Sequence, residues 1–216
     1  MLKLGVLASG RGSNFQAIIN AVKTGYLTAS VEVLITDSPA AYAIKRAKDN
    51  GIAGLVMSPQ DYSSPDTYYK RMADELKKRG VGLVVLAGFM RVVRKPLIDL
   101  FPMRIMNIHP ALLPSFPGLH AQRQAVSYGV KLSGCTVHFV DEGMDTGPVI
   151  IQAAVPVCHD DTEESLSDRI LKYEHRIFPY AIRLFAEGRL EVQGRVVKIH
   201  DRIKDEGVVV SPPIDG

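Results

Sequence analysis

Only two cysteines, Cys135 and Cys158, occur among 216 residues. They make no C-x-x-C pair, no metal-ligand spacing and no disulfide framework, so both read as core thiols in a reducing cytosol. No stretch approaches the ~20 apolar residues of a membrane span. A signal-peptide hydrophobic region is missing too, because strand-like Leu2 to Ala8 runs straight into a glycine turn. The expectation is a cytoplasmic protein with no membrane contact. Basic residues are not clustered: the formal charge is +3, and the short run Lys77-Lys78-Arg79 reads as a solvated helix end. Nucleic-acid binding calls for a basic stripe interleaved with aromatics, whereas a small anion needs only a few donors in one cleft. The charge balance favours the small anion. No internal repeat or low-complexity linker divides the chain.

Several catalytic patterns are missing as well. Ser115 lies close to His109, but no G-x-S-x-G elbow supports a nucleophilic serine. The six histidines are dispersed without H-E-x-x-H or comparable spacing, so no metal is expected.

What is present is a chain that is 46% hydrophobic, enough for a sizeable core. Strand-like runs at Leu4 to Ala8, Val31 to Ile35, Leu83 to Ala87 and Arg104 to Ile108 alternate with helical patterns. Phe15, Ile18, Ile19 and Val22 fall at i, i+3, i+4 and i+7 of a first helix; others cover Ala40 to Lys48 and Pro65 to Arg79. Alternation of this kind predicts an α/β domain with a mostly parallel open sheet and helices on both faces. After residue 110 a Pro-rich loop leads to a short helix near Ala121 to Tyr128, then to strands Leu132 to Val140 and Val149 to Val157. Asp161-Thr162-Glu163-Glu164 reads as a capping box opening a helix to about Phe185 that Pro179 should kink. Leu190 to Val192 and Val196 to Ile199 predict a terminal hairpin, giving an antiparallel C-terminal addition. One domain over 1–204 is expected, with halves of about 1–100 and 101–204, and a loose tail over 205–216.

Between the first strand and the first helix lies Ser9-Gly10-Arg11-Gly12-Ser13-Asn14. Backbone N–H groups and the helix dipole favour an anion there. A dinucleotide fingerprint would need glycine at position 15, where Phe15 stands, and G-x-x-x-x-G-K-S/T is missing. A single phosphate on Gly12, Ser13 and Asn14 fits better, although Ser13 with Gln16 also reads as an S-x-x-Q cap. Asn107-Ile108-His109-Pro110 ends a buried strand, and its period of two aims Asn107 and His109 to one side. Asp145, in Asp145-Thr146-Gly147-Pro148, arrives by a later chain reversal. An amide, an imidazole and a carboxylate meeting there suit acyl transfer without an enzyme nucleophile: Asn107 donates to an oxyanion, and His109, held charged by Asp145, donates or passes a proton. His120 is a substrate-channel residue or a loop anchor; His138 reads as packing or an exposed face, and His159 and His200 as surface. Glu174 faces a ligand or is a solvated helical acid.

Ser9-Gly-Arg-Gly-Ser-Asn14, Leu86-Ala-Gly-Phe-Met-Arg91, Asn107-Ile-His-Pro-Ala-Leu-Leu-Pro114, Phe116-Pro-Gly-Leu-His120 and Asp145-Thr-Gly-Pro148 together resemble the folate-dependent formyltransferases over nearly the whole chain. The likeness is greatest to the branch acting on glycinamide ribonucleotide in purine synthesis. The resemblance implies a Rossmann-like formyltransferase fold, 10-formyltetrahydrofolate as co-substrate and no metal. It implies catalytic Asn107, His109 and Asp145, a phosphate held by Gly12, Ser13 and Asn14, and a ribonucleotide contact at Glu174. Met90, Arg91, Val92 and Val93 would line the folate site by backbone contacts, together with Asn107 and a closing loop that includes Val140, Asp141 and Asp145. A position that can carry a folate-contacting arginine is Pro65 here. The competing readings are a hydrolase passing the same formyl group to water, whose relatives carry an extra N-terminal domain, and a non-catalytic phosphate-binding module. A homodimer is compatible with the sequence.

Overall fold

The computed structural model describes residues 1–201 and 211. Its elements run β1 (Leu2–Leu7), α1 (Ser13–Lys23), β2 (Ala29–Thr36), α2 (Tyr42–Asp49), β3 (Ala53–Val56), α3 (Pro65–Lys78), β4 (Leu83–Leu86), α4 (Lys95–Leu100) and β5 (Ile105–His109). They continue with α5 (Ala121–Tyr128), β6 (Leu132–Phe139), β7 (Val149–Pro156), α6 (Glu163–Ala186), β8 (Leu190–Gln193) and β9 (Val196–Ile199). One nine-stranded sheet in the order β3-β2-β1-β4-β5-β6-β7-β9-β8 crosses both expected halves of the chain. Strands β1 to β5 pair in parallel, whereas β6 pairs antiparallel with both β5 and β7, and β8 with β9.

Strand periodicity sorts the core to the two faces. Leu83 and Val85 turn towards Phe15 and Ile18 of α1 and Phe178 and Ile182 of α6. Val84 and Leu86 turn the other way, joining Tyr68, Met72 and Leu76 of α3 and Leu97 of α4. The apolar stripe expected on α1 is buried at Phe15, Ile18 and Ile19. Helices thus cover both faces. Among the described residues no helix is long and apolar enough to cross a membrane.

Several local expectations are corrected. Elements β3 and α4 are too short, at four and six residues, for periodicity to reveal them. Helix α2 starts at Tyr42 rather than Ala40. The capping box of α6 is Thr162 with Ser165, not a glutamate. Asp161 stands outside it and grips Arg169 bidentately, with Nη1–Oδ2 2.6 Å and Nη2–Oδ1 2.8 Å, and this pairing holds the carboxyl well below the usual carboxylate range. Helix α6 runs from Glu163 to Ala186 with Pro179 inside it, matching the expected extent to about Phe185. Cys135 is buried, but Cys158 is exposed, in the turn whose Cys158 N–H donates to Asp161. The tail expected from Asp205 lies, apart from Ser211, outside the described residues.

Gly147 lies so close to β6 that a Cβ there would collide with the carbonyl oxygen of Phe139. The backbone N–H of Phe139 in turn donates to Pro148 O at 2.9 Å. Gly147→Ala should therefore lower stability by about 1–3 kcal/mol, as overpacking against fixed backbone does. A urea midpoint equal to that of the parent protein would contradict this.

Candidate active site

The strand order reverses between β1 and β4, and in open α/β sheets the crevice beyond the carboxyl ends of such strands is where ligands bind. The loops leaving these two strands are tied together: Ser9 N–H donates to Gly88 O at 2.9 Å, and Met90 N–H to Ser9 Oγ at 3.0 Å. In the first loop Gly12 takes a left-handed conformation, φ +66°, and a Cβ there would come within 2.8 Å of the Ala43 Cβ. Gly12, not Ser13, is the N-cap, and no side chain caps the helix. The expected Ser13 cap fails because Ser13 is already the first helical residue and Gln16 accepts from Arg46 Nη1 at 3.1 Å. Arg46 Nε also donates to Arg11 O at 2.9 Å, bracing the loop from α2. The first-turn N–H groups are thus not consumed by a cap, as an anion site requires.

Behind this turn Asn14 and Glu174 meet across 160 residues of sequence, with Asn14 Nδ2 donating to Glu174 Oε2 at 2.7 Å. Both are buried, at 8% and 7% exposure, so Glu174 is not a solvated helical acid. Burial pushes its carboxyl up, against the opposing pull of the Asn14 hydrogen bond. Asn14 Oδ1 is buried without a partner among the described residues.

On the next strand Asn107 and His109 share one face, as their spacing predicts, and both reach Asp145. His109 Nδ1 lies 3.3 Å from Asp145 Oδ2, and Asn107 Nδ2 lies 3.4 Å from Oδ1. The backbone N–H of Gly118 donates to Oδ2 at 2.8 Å. His109 Nε2 donates to Phe116 O at 2.8 Å, so both ring nitrogens face oxygen atoms. His138 joins them, contrary to its reading as packing or an exposed face. It stands opposite Asn107 in the β5–β6 register and is 2% exposed. Its Nδ1–H donates to Phe139 O at 2.8 Å, leaving Nε2 to accept from Asn107 Nδ2 at 3.2 Å. Burial pulls the pKa of His138 down, favouring that neutral form. Phe116, His120 and Asp145 all have positive φ, between 53° and 58°. Three of the five described non-glycine residues with positive φ therefore lie in the two loops that meet at Asp145, the others being Met103 and Asp201.

The segment Met90 to Val93 passes nearby, with Met90 and Val92 exposed and Val93 buried. Arg91 Nε pairs with Asp37 at 2.6 Å, and Tyr69 Oη donates to Val92 O at 2.9 Å. Val140 N–H donates to Ile105 O at 2.9 Å, and Asp141 Oδ1 accepts from Gly143 N at 3.1 Å and Thr146 Oγ1 at 2.6 Å. Asp141 therefore shapes the loop that delivers Asp145. Lys95 Nζ reaches across to Glu142 at 3.2 Å. His120 lies 3.5 Å from Glu163 and is exposed, and among the described residues Ser115 makes no hydrogen bond to His109, Asn107 or Asp145. Among the described residues no group of His, Cys, Asp and Glu is placed to hold a metal. A cavity of about 370 Å³ lined by Asn20, Tyr26, His175 and Pro179 lies between α1 and α6, and none of the residues around Asp145 lines it.

The model of the formyl transferase family matches residues 2–182. The chain is 42% identical over 183 residues to the phosphoribosylglycinamide formyltransferase of Bacillus subtilis, covering 85% of this chain and 94% of that one. It is 47% identical over 188 residues to the trifunctional purine biosynthetic protein adenosine-3 of Drosophila melanogaster. That match covers 86% of this chain but only 14% of the much longer relative. The crystal structure of glycinamide ribonucleotide transformylase 1 from Symbiobacterium toebii superposes with a TM-score of 0.92 at 54% identity, covering 93% and 95% of the two chains. With its glycine loop, strand-end amide and imidazole, and reversing carboxylate in the same fold, the chain belongs to the formyl transferase family.

Proposed function

We propose that this protein transfers the formyl group of 10-formyltetrahydrofolate to the amine of glycinamide ribonucleotide. The products are formylglycinamide ribonucleotide and tetrahydrofolate, and the reaction is a cytoplasmic step of purine synthesis. The convergence of Asn107, His109 and Asp145 beside an uncapped helix N-terminus carries this reading. It supplies an anion site for the phosphate and polar donors for the reacting carbonyl within one crevice. The relatives' names point to the same substrates.

In this reading Gly12, Ser13 and Asn14 hold the phosphate, and Glu174 accepts from hydroxyls of the ribonucleotide. Backbone groups of Met90 to Val93, with Asn107 and the loop over Val140, Asp141 and Asp145, hold the folate. The amine nitrogen attacks the formyl carbon, and the carbonyl π pair moves onto oxygen. Asn107 Nδ2 exchanges its long 3.4 Å contact with Asp145 for that oxyanion. His109 faces the same charge as a cationic donor oriented by Asp145. A proton leaves the attacking amine, the departing folate nitrogen gains one, and the C–N bond to folate breaks. No nucleophile of the protein is needed, and among the described residues Ser115 makes no hydrogen bond to His109.

Turnover should fall ~100- to 1000-fold in Asn107→Ala, as on losing one oxyanion donor, and heavily in His109→Ala and Asp145→Asn, with far-ultraviolet dichroism unchanged. Near-parent turnover in any of them sinks the assignment. Following 10-formyltetrahydrofolate with and without glycinamide ribonucleotide separates transfer, which needs the amine, from hydrolysis, which does not. A non-catalytic module would consume none.

Glu174 generates a second expectation. Because its folded pKa is raised, the folded protein binds its proton more tightly than the unfolded chain, so this group costs stability as pH rises above the unfolded value and nothing below it. Glu174→Gln should therefore melt higher than the parent at pH 8, with the gap closing below about pH 4, the unperturbed carboxylate range. The same variant should show a raised KM for glycinamide ribonucleotide and not for the folate. A lower melting temperature at pH 8, or an unchanged KM, would count against a ligand-directed carboxylate.

A further inference from the structure

Between the end of β4 at Leu86 and the start of α4 at Lys95, the segment assigned to the folate belongs to no helix or strand. Its shape is therefore set by contacts from outside, and three elements supply them. Ser9 Oγ, after β1, accepts from Met90 N–H at 3.0 Å. Asp37, the first residue beyond β2, accepts from Arg91 Nε at 2.6 Å. Tyr69 of α3 donates its hydroxyl to Val92 O at 2.9 Å. Three consecutive residues are thus pinned by partners 81, 54 and 23 positions away in sequence.

Tyr69 is buried, and its ring packs edge-on against Tyr68 with centroids 4.9 Å apart, so the hydroxyl is held in one place. Burial, outweighing the nearby Arg91 and Arg94 cations, pushes its phenol up to about 12, and the hydroxyl keeps its proton at neutral pH. The Val92 side chain is exposed, so packing of that residue does not fix the segment. Asp37 is mostly sheltered, and Arg91 is its ion-pair partner among the described residues. A backbone that recognises a ligand through its own N–H and C=O groups must present them in fixed directions, and ordering it beforehand lowers the cost of binding.

We propose that Tyr69 and Asp37 are positioning residues for the formyl donor, holding the Met90 to Val93 backbone, through Val92 and Arg91, in the shape that receives the folate; this rests on the formyl-transfer reading above. Their effect falls on the binding of one substrate and not on the chemical step.

Initial rates are measured with each substrate varied in turn. Tyr69→Phe keeps the ring and deletes only the hydroxyl. It should raise KM for 10-formyltetrahydrofolate about three- to tenfold, the range for one lost neutral hydrogen bond, with kcat and KM for glycinamide ribonucleotide unchanged. Asp37→Asn should raise the same KM about two- to threefold, as for a partly exposed pair, and it tests the proposal even where Tyr69→Phe does not fold. Tyr62→Phe is the control: Tyr62 packs on Tyr68 at 5.3 Å without a hydrogen bond to the segment among the described residues, and both KM values should stay at the parent level. A Tyr69→Phe protein with both KM values raised alike, with neither raised, or matched by Tyr62→Phe overturns the proposal, as does an unchanged folate KM in Asp37→Asn. A parent protein that consumes no formyl donor in the presence of glycinamide ribonucleotide overturns the formyl-transfer reading itself, which is a different outcome from an active parent whose variants do not separate the two substrates.

Discussion

The site depends on the carboxylate of Asp145, which draws four donors or acceptors from three separate stretches of chain into one contact set. Gly118 N–H and His109 face one oxygen, and Asn107 and the His138 ring face the other. A carboxylate largely withdrawn from water is tolerable only when donors such as Gly118 N–H, His109 and Asn107 replace its hydration, while the His138 ring accepts from Asn107 behind it. Asp145 reaches this place in a left-handed conformation, φ 55°, that costs backbone energy in a non-glycine residue. Two residues on, Gly147 packs against Phe139 O where the antiparallel strands β6 and β7 meet, a close approach that only glycine allows.

The sheet topology brings the rest of the chemistry to the same edge. Reversal of strand order at β1 and β4 opens the crevice, and the Ser9 hydroxyl joins the loops from both strands, so the phosphate end and the formyl end of the proposed reaction share one rigid frame. Two reactants held on one frame need no further loss of translational freedom when they react, which is a large part of the barrier for an amine attacking an amide-like carbonyl. A protein nucleophile would add little. The arrangement explains why the chain invests in positioning and donors instead.

Features that depend on periodicity were legible in the sequence: the stripe of α1, the buried parallel strands, and the shared face of Asn107 and His109. So was Asp145, because a D-x-G-P turn after a strand announces a reversal. What escaped was set by partners distant in sequence. His138 looks like one more alternating residue of β6 until the register places it opposite Asn107. Ser13 and Gln16 satisfy a local capping rule, but Arg46, thirty residues away, takes Gln16 and the left-handed Gly12 ends the helix first. Cys158 was read as a core thiol from composition, and the turn before α6 exposes it. Local rules rank the options available to a segment, and the tertiary partner selects among them.

Glu174 shows most directly where stability and function part. Its only hydrogen-bond partner among the described side chains is Asn14, whose own Oδ1 is buried without one. A neutral amide at position 174 would accept the same Asn14 hydrogen bond without the cost of a desolvated charge. Folding alone therefore gives no reason for a carboxylate at this place. A ligand bearing hydroxyl donors does, since a carboxylate accepts at both oxygens and binds a hydroxyl more strongly than an amide can. The orphan Asn14 oxygen points the same way, because it too lacks a donor until one arrives. In the proposed reaction these two incomplete polar groups behind an uncapped helix N-terminus would be completed by the substrate, with the phosphate on the backbone and the hydroxyls on Glu174 and Asn14.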